Sequence, residues 1–201
     1  MTRVTNTVFA VALLLSVGCA VPKAIQWQSS QSQRGYRFTL TDWTRTSVAY
    51  HEFQTQLFVQ GTLLSPAFTK IYSREFARRA GLTKAQAAAH RAKSLKELDG
   101  SIGLFVAVAT RDAHWNDLDE KAPTLTIRMY IDGQSDALLP KKLLRLNDNE
   151  MADKRPFFPF ADQLKTGYML KFPYDGPSPK KVRVTISGAP GLSELNWVLT
   201  P

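Results

Sequence analysis

Ile102-Gly-Leu-Phe-Val-Ala-Val-Ala109 (residues 102–109) is nearly continuous apolar sequence without polar alternation. A short run of this kind reads as a strand covered on both faces, at the centre of a sheet. The chain that follows it alternates. Leu125, Ile127, Met129 and Ile131 are interleaved with Thr126, Arg128 and Tyr130, and Asp132-Gly133 supplies a turn. Leu143–Leu146 is a short strand. Tyr168, Leu170 and Phe172 make another, ended by Pro173. Val182, Val184 and Ile186 precede a break at Gly188–Gly191, and Leu195, Trp197 and Leu199 finish the chain. Arg155–Phe160 (RPFFPF) is not a regular central strand, because neither proline has an N–H to donate.

On the amino-terminal side, Tyr36–Thr41 (YRFTLT) alternates and is expected to be a half-buried strand, with Asp42-Trp43-Thr44 turning away. Glu52–Leu64 is a second strand with Phe53, Leu57 and Val59 in the core, and Gly61 marks a bulge or a close approach. The period then changes. Phe68, Ile71, Tyr72, Phe76 and Ala80 recur at helical spacing up to Gly81. Thr83-x-x-Gln86 is a capping box that opens a second helix running to about Leu98, closed by Asp99-Gly100. The expected architecture is mainly β. It is an antiparallel β-sandwich of immunoglobulin-like or C2-like rhythm, with a two-helix insertion at about residues 66–100 between the second and third strands.

The formal net charge is +9, and it is uneven. The helical pair carries Lys70, Arg74, Arg78, Arg79, Lys84, Arg91, Lys93 and Lys96 against Glu75, Glu97 and Asp99. Such a surface attracts anionic lipid, glycans or acidic protein partners, and Arg74, Arg78, Arg91 and Lys93 are the candidate partner surface. No nucleic-acid motif accompanies the charge.

Candidate chemistry is sparse. His51 and His90 read as a structural and a surface histidine, and no two of His51, His90 and His114 have helical metal-pair spacing. His114 lies in an acidic loop with Asp112, Asp117 and Asp119, a carboxylate–histidine mixture suited to metal or acid/base chemistry but without EF-hand spacing. Asn147–Glu150 is a similar oxygen-rich loop that fails the same test. No nucleophile elbow, P-loop or dinucleotide fingerprint is present. The expectation is a non-enzyme without metal or cofactor. Phe157, Phe158 and Phe160 either cap the core or form an apolar contact surface.

The amino terminus supplies the location. Arg3, the apolar run Val8–Leu15 and the small residues after it make a secretory signal peptide, too short to span a bilayer. Leu15-Ser-Val-Gly-Cys19 resembles the bacterial lipoprotein signal, with Gly18 before the modified Cys19 and Ser16 where Leu is preferred. The resemblance implies cleavage after residue 18, lipid on Cys19 and, from Ala20, an outer-membrane destination facing the periplasm. Ordinary cleavage at Gly18-Cys19-Ala20 is the alternative. Residues 19–35 then form a polar tether and residues 36–201 a single domain. Three functions follow as expectations. The first is a lipid-anchored, non-enzymatic binding or assembly module with a protein partner in the envelope, an accessory subunit of an envelope or secretion machine. The second is a periplasmic hydrolase or metal-dependent enzyme centred on His114. The third is a lipid or small-solute carrier with a deep apolar pocket inside the sandwich.

Overall fold

The computed structural model describes residues 31–199, so the signal peptide, Cys19 and most of the tether lie outside the described residues. The described chain is mainly β, with eight strands in two antiparallel sheets and four helices. The apolar run is β3 (Ser101–Thr110), third of five strands. It lies between β2 (Gln54–Leu64) and β6 (Thr166–Pro173), with β1 (Thr44–His51) and β5 (Lys142–Arg145) at the two edges. The second sheet has the order β4-β7-β8, from β4 (Leu125–Ile131), β7 (Lys181–Gly188) and β8 (Gly191–Val198).

The absence of alternation in β3 has a direct cause. Ile102, Leu104, Val106 and Val108 face a core shared by the two sheets, together with Leu57, Val59, Met129, Tyr168, Val184 and Trp197. Phe105 points the other way, into a second apolar cluster with Tyr36, Phe68 and Phe158. Both faces are covered, so both parities are apolar. The strands β2, β4, β6, β7 and β8 bury every second residue over much of their length, as their sequence alternation requires.

The sheets also meet along one side, where β1 lies beside β8. Arg45 Nε donates to the Asn196 carbonyl (2.8 Å), Glu194 N donates to Ser47 Oγ (3.1 Å), and Trp197 Nε1 donates to the Trp43 carbonyl (2.8 Å). Gly61 is a close approach with β2 continuing through it: a Cβ there would stand 2.6 Å from Leu195 Cδ1 on the facing sheet.

Four α-helices are present among the described residues: α1 (Gln31–Trp43), α2 (Pro66–Arg79), α3 (Lys84–Lys96) and α4 (Asp148–Lys154). In chain order α2 and α3 fall between β2 and β3. Ser65 caps α2 by accepting from Phe68 N (3.1 Å), and Pro66 occupies its first turn. The capping box of α3 closes in both directions, Thr83 N to Gln86 Oε1 (2.9 Å) and Gln86 N to Thr83 Oγ1 (3.3 Å).

Three local expectations are overturned. Tyr36–Thr41 is helical, because Tyr36, Leu40 and Trp43 also satisfy i, i+4, i+7 spacing. Tyr36 and Leu40 are buried, and Tyr36 Oη reaches the Phe157 carbonyl (3.2 Å). Phe38, grouped with them by alternation, is 72% exposed, and the Thr39 and Thr41 hydroxyls bond back to carbonyls four residues earlier. Phe53 is fully exposed at the β1–β2 turn, next to Glu52 in a left-handed conformation (φ 54°). The first strand is therefore Thr44–His51, where no strand is expected from the sequence. Asn147–Glu150 is the start of α4, where Asn147 and Glu150 form a second reciprocal capping box.

Candidate functional site

The outer face of the larger sheet, away from the shared core, carries a cleft. Cross-strand register sets its floor. Lys142, Lys171, Gly103 and Leu64 form one row across β5, β6, β3 and β2. Leu144, Met169, Phe105 and Thr62 form the next. Side chains in register project to the same face. The helix α2 seals the β2–β3 end of this face with Phe68, which is fully buried. The helix α3 stands off and buries no side chain. Between them remains a cleft of about 410 Å³. Gly103 shapes it: a Cβ there would lie 3.0 Å from Leu98 Cδ2 and 3.0 Å from Leu64 Cβ. Without one, Leu98, just beyond α3, settles onto the sheet.

The lining divides by chemistry. Phe68, Tyr72, Leu98, Leu144, Phe158 and Met169 make it apolar, while Lys93, Lys142, Lys154 and Lys171 bring cations and Glu97 the single carboxylate. Among the described residues none of these four lysines forms an ion pair. Lys142 and Lys171 are direct cross-strand partners, an arrangement of like charges that destabilises a sheet. Lys171 Nζ donates to the Glu97 carbonyl at the end of α3 (2.6 Å), where helix carbonyls favour a cation. His90 forms part of the wall rather than the open surface expected for it. Its ring lies flat on Phe76 (centroids 4.4 Å, interplanar angle 4°), and its buried Nδ1 has no hydrogen-bond partner among the described residues. Burial raises the Tyr72 hydroxyl to about 12, so it enters the cleft neutral.

The four basic residues picked out from sequence are placed differently from one another. Arg74 and Arg78 stand one turn apart on α2, both exposed. Arg78 is committed, since its Nε and Nη2 grip both oxygens of the buried Glu75 (2.9 and 2.7 Å) while Arg79 Nε takes Oε1 (2.6 Å). The Arg78 hydrogen bonds hold the Glu75 carboxyl below the usual carboxylate range, against burial and with help from Arg79. Arg91 and Lys93 are about 200° apart around α3. Lys93 lines the cleft with His90, Ser94 and Glu97, and Arg91 does not.

The His114 loop is tied to the fold. Asp117 is buried and accepts from Thr124 N (2.6 Å) and Leu125 N (3.1 Å). Burial pushes this carboxyl up, but the hydrogen bonds from Thr124 and Leu125 outweigh it and leave its pKa below the ordinary value. Asn116 Nδ2 donates to the Val108 carbonyl, and Tyr168 Oη reaches both oxygens of Asn116 (2.9 Å each). Asp112 accepts from His114 N (2.9 Å), and the His114 side chain is exposed. Among the described residues no group of three His, Cys, Asp or Glu side chains is placed to hold a metal. Phe157 and Phe158 are buried against Tyr72 and Phe76 in the second apolar cluster, outside the core they were expected to cap, and only Phe158 reaches the cleft lining.

Of the four cleft lysines, Lys93 is marked by the sequence, as part of a partner surface; Lys142, Lys154 and Lys171 are not. Lys93, Lys142 and Lys171 belong to elements expected correctly or nearly so and Lys154 to α4, where a loop is expected, and their convergence depends on strand register and on α3 standing off. A local signal is Lys171 on the parity of β6 opposite to Tyr168, Leu170 and Phe172.

No family model matches the chain, and no curated protein matches it. It is similar to a crystal structure described as a novel protein of unknown function from Burkholderia pseudomallei. The two share 11% identity over 83% of each chain, with a TM-score of 0.43. Among the described residues no helix is long and apolar enough to cross a membrane.

Proposed function

We propose that this chain is a lipid-anchored, non-enzymatic binding or assembly module of the bacterial envelope. In this reading Cys19 carries the lipid, the domain faces the periplasm from the outer membrane, and a protein partner docks on the outer side of α2 and α3 as part of an envelope or secretion machine. The observation that carries it is α3. This helix is fully capped and thirteen residues long, yet buries no side chain. A helix that adds nothing to the core is available to a partner. Its outer side presents Lys84, Ala88 and Arg91, and the neighbouring α2 adds exposed Lys70 and Arg74. The two sheets are read here as an immunoglobulin-like or C2-like sandwich with α2 and α3 inserted, supported by their shared core.

Charge reversal is best confined to Lys70, Arg74, Lys84 and Arg91, because a carboxylate at position 78 would face the buried Glu75. A photo-crosslinking residue at position 88 is expected to yield one discrete adduct in cells, lost on reversal of those four charges. No adduct, or one indifferent to charge, would reject the surface. For the anchor, mass spectrometry of the mature amino terminus is decisive: an unmodified start at Val21 would sink it.

A further inference from the structure

Repelling lysines beside an apolar floor call for a ligand with two ends. Lys142 and Lys171 are held opposite each other by register, and Lys93 and Lys154 join them around the same cleft. A bound anion would relieve that repulsion. A simple anion would leave the Leu144 and Met169 surfaces wet, above the buried Phe68 and Phe158 rings. A neutral apolar molecule would leave the charges of Lys93, Lys142 and Lys154 unanswered, Lys171 having the Glu97 carbonyl. We propose that the cleft binds an amphiphile with a single acyl chain and an anionic headgroup, the chain against Leu144, Met169 and Phe158 and the headgroup at Lys142 and Lys171. The volume of about 410 Å³ lies near the lower end of small-molecule sites (about 300–1,000 Å³) and suits one chain. The site is on the outer face of the larger sheet; the space between the sheets is filled by side chains such as Leu104, Val106, Met129 and Val184, each at zero exposure. It stands apart from the partner surface, which uses the opposite side of α3.

The test uses the full chain carrying Cys19→Ser, without detergent, so that no acyl group of its own competes. A fluorescent undecanoic acid reports binding, displaced in turn by palmitate, lysophosphatidate, hexadecanol and inorganic phosphate. Saturable one-to-one binding is expected, with palmitate or lysophosphatidate at least about tenfold stronger than hexadecanol and inorganic phosphate ineffective. The stronger of the two anionic lipids identifies the headgroup as carboxylate or phosphate. Lys142→Gln with Lys171→Gln should weaken binding about tenfold or more while moving the melting temperature little, since the repulsion removed offsets the lost Lys171–Glu97 hydrogen bond. Leu144→Asp, at a half-exposed position, should abolish binding, and Arg74→Gln should leave it intact. The proposal is overturned by absence of saturable binding, by hexadecanol matching the anions, or by full affinity in the double lysine variant.

Discussion

Two residues in this chain do work that their type alone would not reveal. Gly61 is needed for the distance between the sheets, because Leu195 occupies the space a side chain would take. Gly61→Val is expected to destabilise the fold by about 1–3 kcal/mol through overpacking. Urea unfolding should show a lower midpoint at unchanged slope; an unchanged midpoint would mean that the sheets can separate freely. Asp117 looks in sequence like part of an acidic, solvated loop, and in the structure it binds two backbone N–H groups at the start of β4. Its folded pKa lies below its unfolded value of about 3.9. Its contribution is therefore complete above about pH 4 and is lost as the pH falls through the folded pKa. Asp117→Asn is expected to cost about 1–3 kcal/mol at pH 7 and to flatten the decline of stability below pH 4. A variant whose acid limb still parallels the parent would remove Asp117 from that account.

Among the elements, α3 and α1 show opposite relations between pattern and packing. The local signals of α3 are strong, with a capping box and an alanine-rich body, and beside them it has only partial burial, chiefly His90 stacked on Phe76 of α2. An element held by caps and few contacts opens readily. Its amides are expected to exchange at least about a hundredfold faster than those of β3. Thr83→Ala should widen that gap, costing the helix about 1 kcal/mol while global unfolding hardly moves. Equal protection in α3 and β3 would contradict this. For α1 the local signals are ambiguous, since Tyr36 and Leu40 fit both a two-residue and a four-residue repeat. Contact with α2 and Phe157 decides between them. The strands β4, β6, β7 and β8 were legible because each has one polar and one buried face, whereas β1 was not. Its residues are only half-buried or exposed, so its composition carries no alternation to read.

For the whole molecule, stability rests on the shared core, and Trp197 joins its parts. This side chain is buried between the sheets while its indole N–H donates to the Trp43 carbonyl at the end of α1. Trp197→Ala is expected to cost about 3–5 kcal/mol, a large share of the stability of a domain this size. Calorimetry should show a correspondingly lower melting temperature with the transition still single; a loss below 1 kcal/mol would place the core elsewhere. By itself the sequence determined that the chain is mainly β, that β3 is central and that two basic helices lie between β2 and β3. Those properties are carried by periodicity, caps and turn residues, all of which act within a few positions. Only the tertiary structure decided that Lys142 faces Lys171, that Phe105 looks away from the shared core and that α3 leaves a cleft beneath it. These depend on register and on distances between residues far apart in the chain, and local pattern carries no information about either.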